Sequence, residues 1–277
     1  MSATIHLICP ICKMPLFGVE RALKCDRGHS FDFAKSGYIN LLNPGKMNNA
    51  KAGDSKEMIR ARSAFFSGGN YSKIQDKICD LVCEFAPNVV IDAGCGEGYY
   101  TNAIATLSGA CTLGFDMSKH GCESASKRAK ALGERALFCV GNIFDLPVYS
   151  ECADIVVNMF APVAHNEFYR VLRDGGHLIV ASAGERHLEG LKRAIYDDVY
   201  LNEVDIPSYE DFELLRTESV LYNTTIYGRE TIWALFEMTP YYHRTTLADK
   251  KKLEALDALD TTVEVDFLIY KKIEKQG

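Results

Sequence analysis

One segment constrains the fold of this chain more than any other: Asn88-Val-Val-Ile-Asp-Ala-Gly-Cys-Gly-Glu-Gly-Tyr-Tyr-Thr101. A short run rich in β-branched residues reads as a buried strand, three alternate glycines let the backbone turn tightly, and a helix follows. Such a unit opens an α/β sheet and presents backbone amides at a helix start to a ligand. The alternation then continues. Cys111 to Ser118 gives a second strand ending in Asp116. Leu137 to Val140 gives a third, followed by a loop through Asn142 and Asp145 to Pro147. Asp154 to Pro162 gives a fourth, and a helix from Asn166 to Leu172, turned by Gly175-Gly176, feeds a fifth strand from His177 to Ser182. This order predicts an α/β, Rossmann-like, doubly wound parallel sheet. Ligands of such sheets lie outside the carboxyl ends of the strands, where Asp92, Gly96, Asp116, Asn142 and Asn158 all fall.

Glycine loops of this kind also serve nicotinamide cofactors, and two details separate the alternatives. An acid, Asp92, precedes the first glycine, and Gly94, Gly96 and Gly98 form G-x-G-x-G rather than G-x-G-x-x-G. A carboxylate beside the loop repels a pyrophosphate and attracts a cationic amino-acid moiety, such as the ammonium of S-adenosylmethionine with its nearby sulfonium. Asp116 stands where a carboxylate can hold both hydroxyls of a ribose. Asn142 or Asp145 can meet an adenine edge. Singly these residues have ordinary readings, as turn glycines, helix caps and a loop cap; together they point to a class I methyltransferase domain.

The amino-terminal residues carry a second pattern. Cys9-Pro-Ile-Cys12, Cys25 and His29 are spaced C-x2-C-x12-C-x3-H. Zinc takes four tetrahedral sulfur and nitrogen ligands, and a two-residue gap turns both thiolates of a knuckle toward one ion. Four protein ligands leave no open position, so Cys9, Cys12, Cys25 and His29 predict one structural zinc. The span between the pairs contains Met14-Pro-Leu-Phe-Gly18, which suits short strands better than a finger helix and favours a zinc ribbon. The aromatics Phe31 and Phe33 that follow can stack bases, although core packing explains them too. Asn43 to Ser55, rich in Asn, Lys and Gly, reads as a basic linker. The expected organisation is therefore a zinc module over 1–42, a linker over 43–55 and a methyltransferase domain over 56–277.

Charge separates these parts. The chain carries −6 overall, but residues 1–53 hold seven Lys or Arg against three Asp or Glu. A basic front on an acidic body suits a phosphate-rich partner better than a neutral metabolite. The remaining cysteines are unevenly spaced; Cys79 and Cys83, four apart on a helix over Tyr71 to Phe85, read as buried thiols. No apolar run approaches the roughly 18 residues that span a bilayer, and none near the start has signal-peptide form, so no membrane association and a cytoplasmic location are expected. Phe212 to Tyr222 and Thr261 to Tyr270 predict an antiparallel edge of the sheet. Between them a helix over Arg229 to Thr239 lies near the cleft, as core packing or as part of a lid.

With the zinc quartet, linker and glycine loop in one order, the chain resembles the bacterial 23S ribosomal RNA (guanine-N1)-methyltransferases of the RlmA type over nearly its whole length. Specific likenesses are Cys9-Pro-x-Cys12, Phe31-Asp-x-Ala-Lys-x-Gly-Tyr38, Gly53-Asp-Ser55, Asp92 to Thr101, Arg186-His-Leu188 and Met238-Thr-Pro240. The resemblance implies a zinc module that recognises 23S ribosomal RNA, a donor-binding domain and a homodimer. It also implies that Tyr71, Gly96, Glu97 and His187 touch the donor. Read without it, Tyr71 is a core aromatic at a helix start and His187 a solvated residue.

The reaction implied is transfer of a methyl group from S-adenosylmethionine to N1 of a guanine in an RNA hairpin loop, with alignment and charge placement supplying most of the catalysis. A carboxylate, a histidine or water can take the N1 proton, and the catalytic base is open. Asn158, Phe160 and Pro162 are candidates to line the base pocket, with Phe160 stacking on the base. Asn158-Met-Phe-Ala-Pro162 departs from the Asn/Asp-Pro-Pro-aromatic motif of some base methyltransferases. Three rivals remain: a class I enzyme acting on another RNA, a protein or a small molecule with a purely structural zinc module; a silent RNA-binding protein; and a nicotinamide enzyme. Cys9→Ser or Cys25→Ser is expected to release zinc and cripple RNA binding while leaving much of the donor affinity.

Overall fold

In the computed structural model, the described residues are 6–43, 45, 55–133, 135–242 and 244–274. Strands β1 (Phe17–Val19), β2 (Ala22–Lys24) and β3 (Ser30–Asp32) pair antiparallel as a three-stranded ribbon, as the short apolar stretches and the turn at Glu20-Arg21 favour. No α-helix occurs among the described residues before Lys56, so the ribbon expectation holds against the finger. Then β4 (Ile39–Asn40) leaves the ribbon. Most of the expected basic linker lies outside the described residues. Of its ends, Asn43 donates its Nδ2 to Pro10 O and Ser55 caps α1 (Lys56–Ser67) by accepting from the Met58 amide.

Helix α2 (Ser72–Glu84) buries Ile74, Ile78, Leu81 and Val82, the stripe its periodicity predicts. Cys79 is buried as expected, but Cys83, one turn further on at the border of the buried stripe, is exposed. There follow β5 (Val89–Ala93), α3 (Tyr99–Ser108), β6 (Cys111–Asp116), α4 (Lys119–Ala131), β7 (Ala136–Val140), β8 (Ala153–Met159), α5 (His165–Val171) and β9 (Leu172–Ala183). The chain finishes with α6 (Glu189–Ile195), β10 (Phe212–Tyr227), α7 (Arg229–Glu237), α8 (Leu247–Glu254) and β11 (Ala258–Lys272).

The main sheet has eight strands in the order β10-β11-β9-β8-β5-β6-β7-β4. Strands β4 to β9 pair in parallel, whereas β11 runs antiparallel to both β9 and β10. The antiparallel edge expected from the carboxyl-terminal third is present, so the sheet is mixed rather than purely parallel. Successive side chains alternate between its faces. Val90, Ile155, Val157 and Ile179 join the core under α2, α6 and α7, while Ile91, Leu113, Val156 and Leu178 join the core on the other face. Each fully buried Val, Leu or Ile contributes about 1.5–3 kcal/mol. The strand order reverses between β5 and β8, and the loops after β5, β6 and β8 open there together.

The amino-terminal ribbon shares this second core. Leu7, Leu16, Leu23 and Ile39 are buried in one cluster with Ile91, Leu113, Ile143 and Val148, and β4 extends the sheet beside β7. The described helices include none long and apolar enough to cross a membrane.

Candidate functional site

The three loop glycines all have positive φ, a conformation that side chains with a Cβ resist. Their surroundings differ. A Cβ on Gly94 (φ 93°) would lie 2.6 Å from that of Ala161, and one on Gly98 (φ 77°) would lie 2.6 Å from that of Ala125. A Cβ on Gly96 (φ 53°) would meet only the end of Arg62, at 3.2 Å. Gly94 and Gly98 are therefore fixed by packing, whereas Gly96 borders open space. That space is a cavity of about 600 Å³ at the carboxyl ends of β5, β6 and β8.

Asp92 and Asp116 both line it. Asp116 accepts from the Gly96 amide (2.9 Å, Oδ2) and the Ser118 amide (2.7 Å, Oδ1), which pins the glycine loop to the end of β6. Asp92 is 1% exposed; its Oδ2 accepts from the Thr101 hydroxyl, and its Oδ1 has no hydrogen-bond partner among the described residues. A buried oxygen without a donor is costly. Burial pushes the Asp92 carboxyl up to about 7, with the Asp116 charge adding to the shift and Thr101 opposing it. A bound cation would supply the missing partner, so the site fits the ammonium of an amino-acid moiety. Glu97, also 1% exposed, pairs with Arg128 at 3.1 Å and accepts from the Ser63 hydroxyl at 3.4 Å, while its Oε1 has no partner among the described residues. Burial raises its carboxyl, and Arg128 and Arg62 counteract the rise.

Tyr71 and His187 come together in the cavity lining, 4% and 7% exposed. The expectation of a solvated His187 fails because both ring nitrogens have partners: Nδ1 accepts from the Glu264 amide at 3.3 Å, and Nε2 lies 3.2 Å from the Tyr71 hydroxyl. An accepting Nδ1 puts the proton on Nε2, which donates to Tyr71 and leaves the phenol proton to point elsewhere. Burial lowers the His187 ring to about 4, so it is neutral at pH 7 and a poor proton acceptor.

Asn142 lines the cavity, and its Oδ1 accepts from the Phe144 amide at 3.0 Å. Asp145 instead pairs with Lys13 at 2.7 Å, outside the cavity lining. At the end of β8, Phe160 and Pro162 line the cavity but Asn158 does not: it is fully buried and donates to Ala93 O and Pro162 O. Phe160 has φ 54°, rare for a large side chain, is 45% exposed and is anchored by its amide to Ala181 O at 2.9 Å. Strained residues of this kind concentrate at functional sites.

Two wall residues, Arg62 and Asn202, give no sequence signal. Arg62 projects from α1 toward Gly96. Asn202 sits in the irregular segment after α6, where it donates to Gly184 O and accepts from Lys192 Nζ at 2.6 Å and the Tyr241 hydroxyl at 3.4 Å. Helix α7 buries Ile232, Leu235 and Phe236, so it packs as core while Leu235 and Met238 reach the cavity.

The ligand atoms of Cys9, Cys12, Cys25 and His29 lie within 4.8 Å of one another, some 20 residues apart in sequence. Cys12 Sγ and Cys25 Sγ are 3.6 Å apart, and His29 Nδ1 is 3.5 and 3.4 Å from the sulfurs of Cys9 and Cys25. A tetrahedral ion with sulfur bonds of about 2.3 Å has edges of about 3.7 Å. The four donors therefore fit one zinc ion.

Two family models match the chain: a methyltransferase domain over residues 86–239 and the amino-terminal region of RlmA, a zinc ribbon, over residues 7–49. The 23S rRNA (guanine(748)-N(1))-methyltransferase of Streptomyces fradiae is 34% identical over 197 residues, covering 69% of this chain and 68% of its own length. A Bacillus subtilis protein named provisionally for guanine-N1 methylation of 23S rRNA is 28% identical across 95% of this chain and 96% of its own. A Micromonospora griseorubida protein with the same provisional name is 33% identical across 66% of this chain and 67% of its own. With a cavity lined by Asp92 and a quartet of ligands that fits zinc, the chain belongs to the methyltransferase family in which an RlmA-type zinc ribbon precedes the methyltransferase domain.

Proposed function

We propose that the protein transfers a methyl group from S-adenosylmethionine to N1 of a guanine in a hairpin loop of 23S ribosomal RNA. The observation that carries this reading is the buried, partnerless Asp92 oxygen beside the Gly96 opening, in a chain that also carries the RlmA-type ribbon. When bound, the donor supplies an electrophilic methyl group. Asp92 then faces its ammonium, Gly96 and Glu97 bound its amino-acid end, Asp116 its ribose and Asn142 its adenine edge. Tyr71, oriented by His187, donates its phenol proton into the cavity. The segment over 1–42 reads RNA through its positive charge, 43–55 links it, and 56–277 holds the donor.

The base enters from the Phe160 side. Its strained backbone aims an exposed ring at the cavity mouth, where a splayed nucleotide can stack, a contact worth about 1–3 kcal/mol per base. Asn158 acts behind it, holding the Ala161–Pro162 turn against the end of β5. Since His187 is neutral with a ring pKa near 4, the N1 proton leaves to water or a carboxylate rather than to this imidazole. Phe160→Ala is expected to lower kcat/KM for ribosomal RNA by about 5- to 150-fold while donor affinity, measured calorimetrically, stays within twofold. An equal loss in both would place Phe160 at the donor instead.

A homodimer and a cytoplasmic location complete the proposal. The reaction is tested by mass mapping of large-subunit RNA from cells with and without the gene. Loss of a single methyl on one guanine supports the reading, and an unchanged RNA overturns it in favour of the small-molecule alternative.

A further inference from the structure

The turn that lines the adenine side of the cavity packs directly against the zinc ribbon. Asn142, Ile143 and Phe144 border the cavity; Asp145, next in the chain, pairs with Lys13 Nζ at 2.7 Å. The Ile8 amide donates to Pro147 O at 2.9 Å, Leu7 bridges Val148, and the Tyr149 amide donates to His6 O at 3.1 Å. Leu7 and Leu16 share a buried cluster with Ile143, Leu146 and Val148. Lys13 follows the ligand Cys12 directly; it has φ 60°, and its amide donates to Cys9 O at 2.8 Å, so the knuckle that gathers the thiolates also sets where Lys13 stands. From the other side Arg170 holds Leu146 O and Val148 O, and Glu167 accepts from the Leu146 amide. The loop is thus clamped between α5 and the metal knuckle.

We propose that the zinc knuckle is the outer support of the methyl-donor cavity, so that occupancy of Cys9, Cys12, Cys25 and His29 sets donor affinity as well as RNA affinity. This rests on reading the cavity as the donor site, and it replaces the sequence-based expectation that donor binding survives loss of the metal. With the ion absent, four donor groups that it holds together repel or drift apart, residues 6–16 lose their fixed course, and one jaw of the clamp is released.

The test is calorimetric titration of the full-length protein with S-adenosylhomocysteine, zinc-loaded and after chelation, with hydrogen exchange followed in parallel. Expected after zinc removal are a donor affinity at least tenfold weaker and faster exchange of the Ile8 and Tyr149 amides, with β5, β8 and β9 still protected. Unchanged affinity in zinc-free protein whose sheet stays protected overturns the proposal. Should chelation unfold the sheet as well, Lys13→Glu with zinc retained decides the matter: affinity falls about threefold, and adding Asp145→Lys restores it, whereas no fall overturns the proposal. Zinc-loaded protein that ignores S-adenosylhomocysteine altogether would overturn the donor reading itself, and this inference with it.

Discussion

Asp92→Asn is expected to reduce donor affinity at least a hundredfold and methylation at limiting donor by a similar factor, with zinc content unchanged and the folded protein more stable at pH 8. The two effects have one cause. Burial holds the folded Asp92 carboxyl at about 7, against an ordinary value of 3.8. Between those values the folded state keeps a proton that the unfolded chain has lost, so stability falls as pH rises from about 4 to 7, by about 4 kcal/mol in all. Asparagine carries no charge and escapes that loss. A cationic donor needs the ionised form, so its binding expels the proton, and wild-type affinity climbs toward tenfold per pH unit below pH 7. Titrations from pH 5.5 to 8 check the slope, which disappears in Asp92→Asn. Thermal unfolding at pH 8 checks the stability. A variant that keeps donor affinity, or a wild type with no slope, contradicts the role given to this carboxylate.

The fold is most legible in sequence around the glycine loop that follows this carboxylate. From Val89 to Thr101 every constraint is local: β-branched residues favour a strand, positive φ requires glycine, and the helix starts at once. The outer strands are harder. β10 and β11 run 16 and 15 residues, well beyond the apolar stretches at Phe212 to Tyr222 and Thr261 to Tyr270, because a run of polar pairs carries the ladder on to Ile226 with Leu259 and Tyr227 with Ala258. Asn223 with Thr262, Thr224 with Thr261 and Thr225 with Asp260 carry no apolar alternation to find. β4 is only two residues long, and its backbone bonds to β7 leave no periodic trace, so the contact between ribbon and sheet is invisible in sequence.

Site residues divide in the same way. Asp92, Gly94, Gly96 and Asp116 are recognisable because strand ends and glycine spacing place them by local rules. His187 lies between charged Arg186 and buried Leu188, and nothing nearby in sequence shows that Tyr71, 116 residues away, and the Glu264 amide will enclose its ring. Asn202 depends on three distant partners, Gly184, Lys192 and Tyr241, and Arg62 on the fold of α1 over the loop. The zinc ligands were at the other extreme: spacing alone fixes them, because the ion, not the fold, supplies the reason for their proximity.

Gly94→Val and Gly96→Ala should separate packing from ligand approach within three residues. At Gly94 a side chain meets a backbone φ of 93° and a methyl carbon 2.6 Å away on Ala161, whose turn also carries Phe160. Backbone strain of about 1–3 kcal/mol and overpacking of about 1–3 kcal/mol add there. At about 2–4 °C per kcal/mol, the midpoint of unfolding should fall by roughly 5–20 °C, with donor binding and methylation both lost. At Gly96 the strain is about 1–2 kcal/mol, since φ is 53° and the nearest atom is the movable end of Arg62. The midpoint should then fall by only a few degrees, yet the added methyl stands at the cavity wall, and donor affinity should drop at least tenfold. Differential scanning calorimetry and donor titration on both variants check the split. If Gly96→Ala binds the donor normally, the loop does not approach the ligand at that glycine, and Asp92 would have to act on a group bound elsewhere in the cavity.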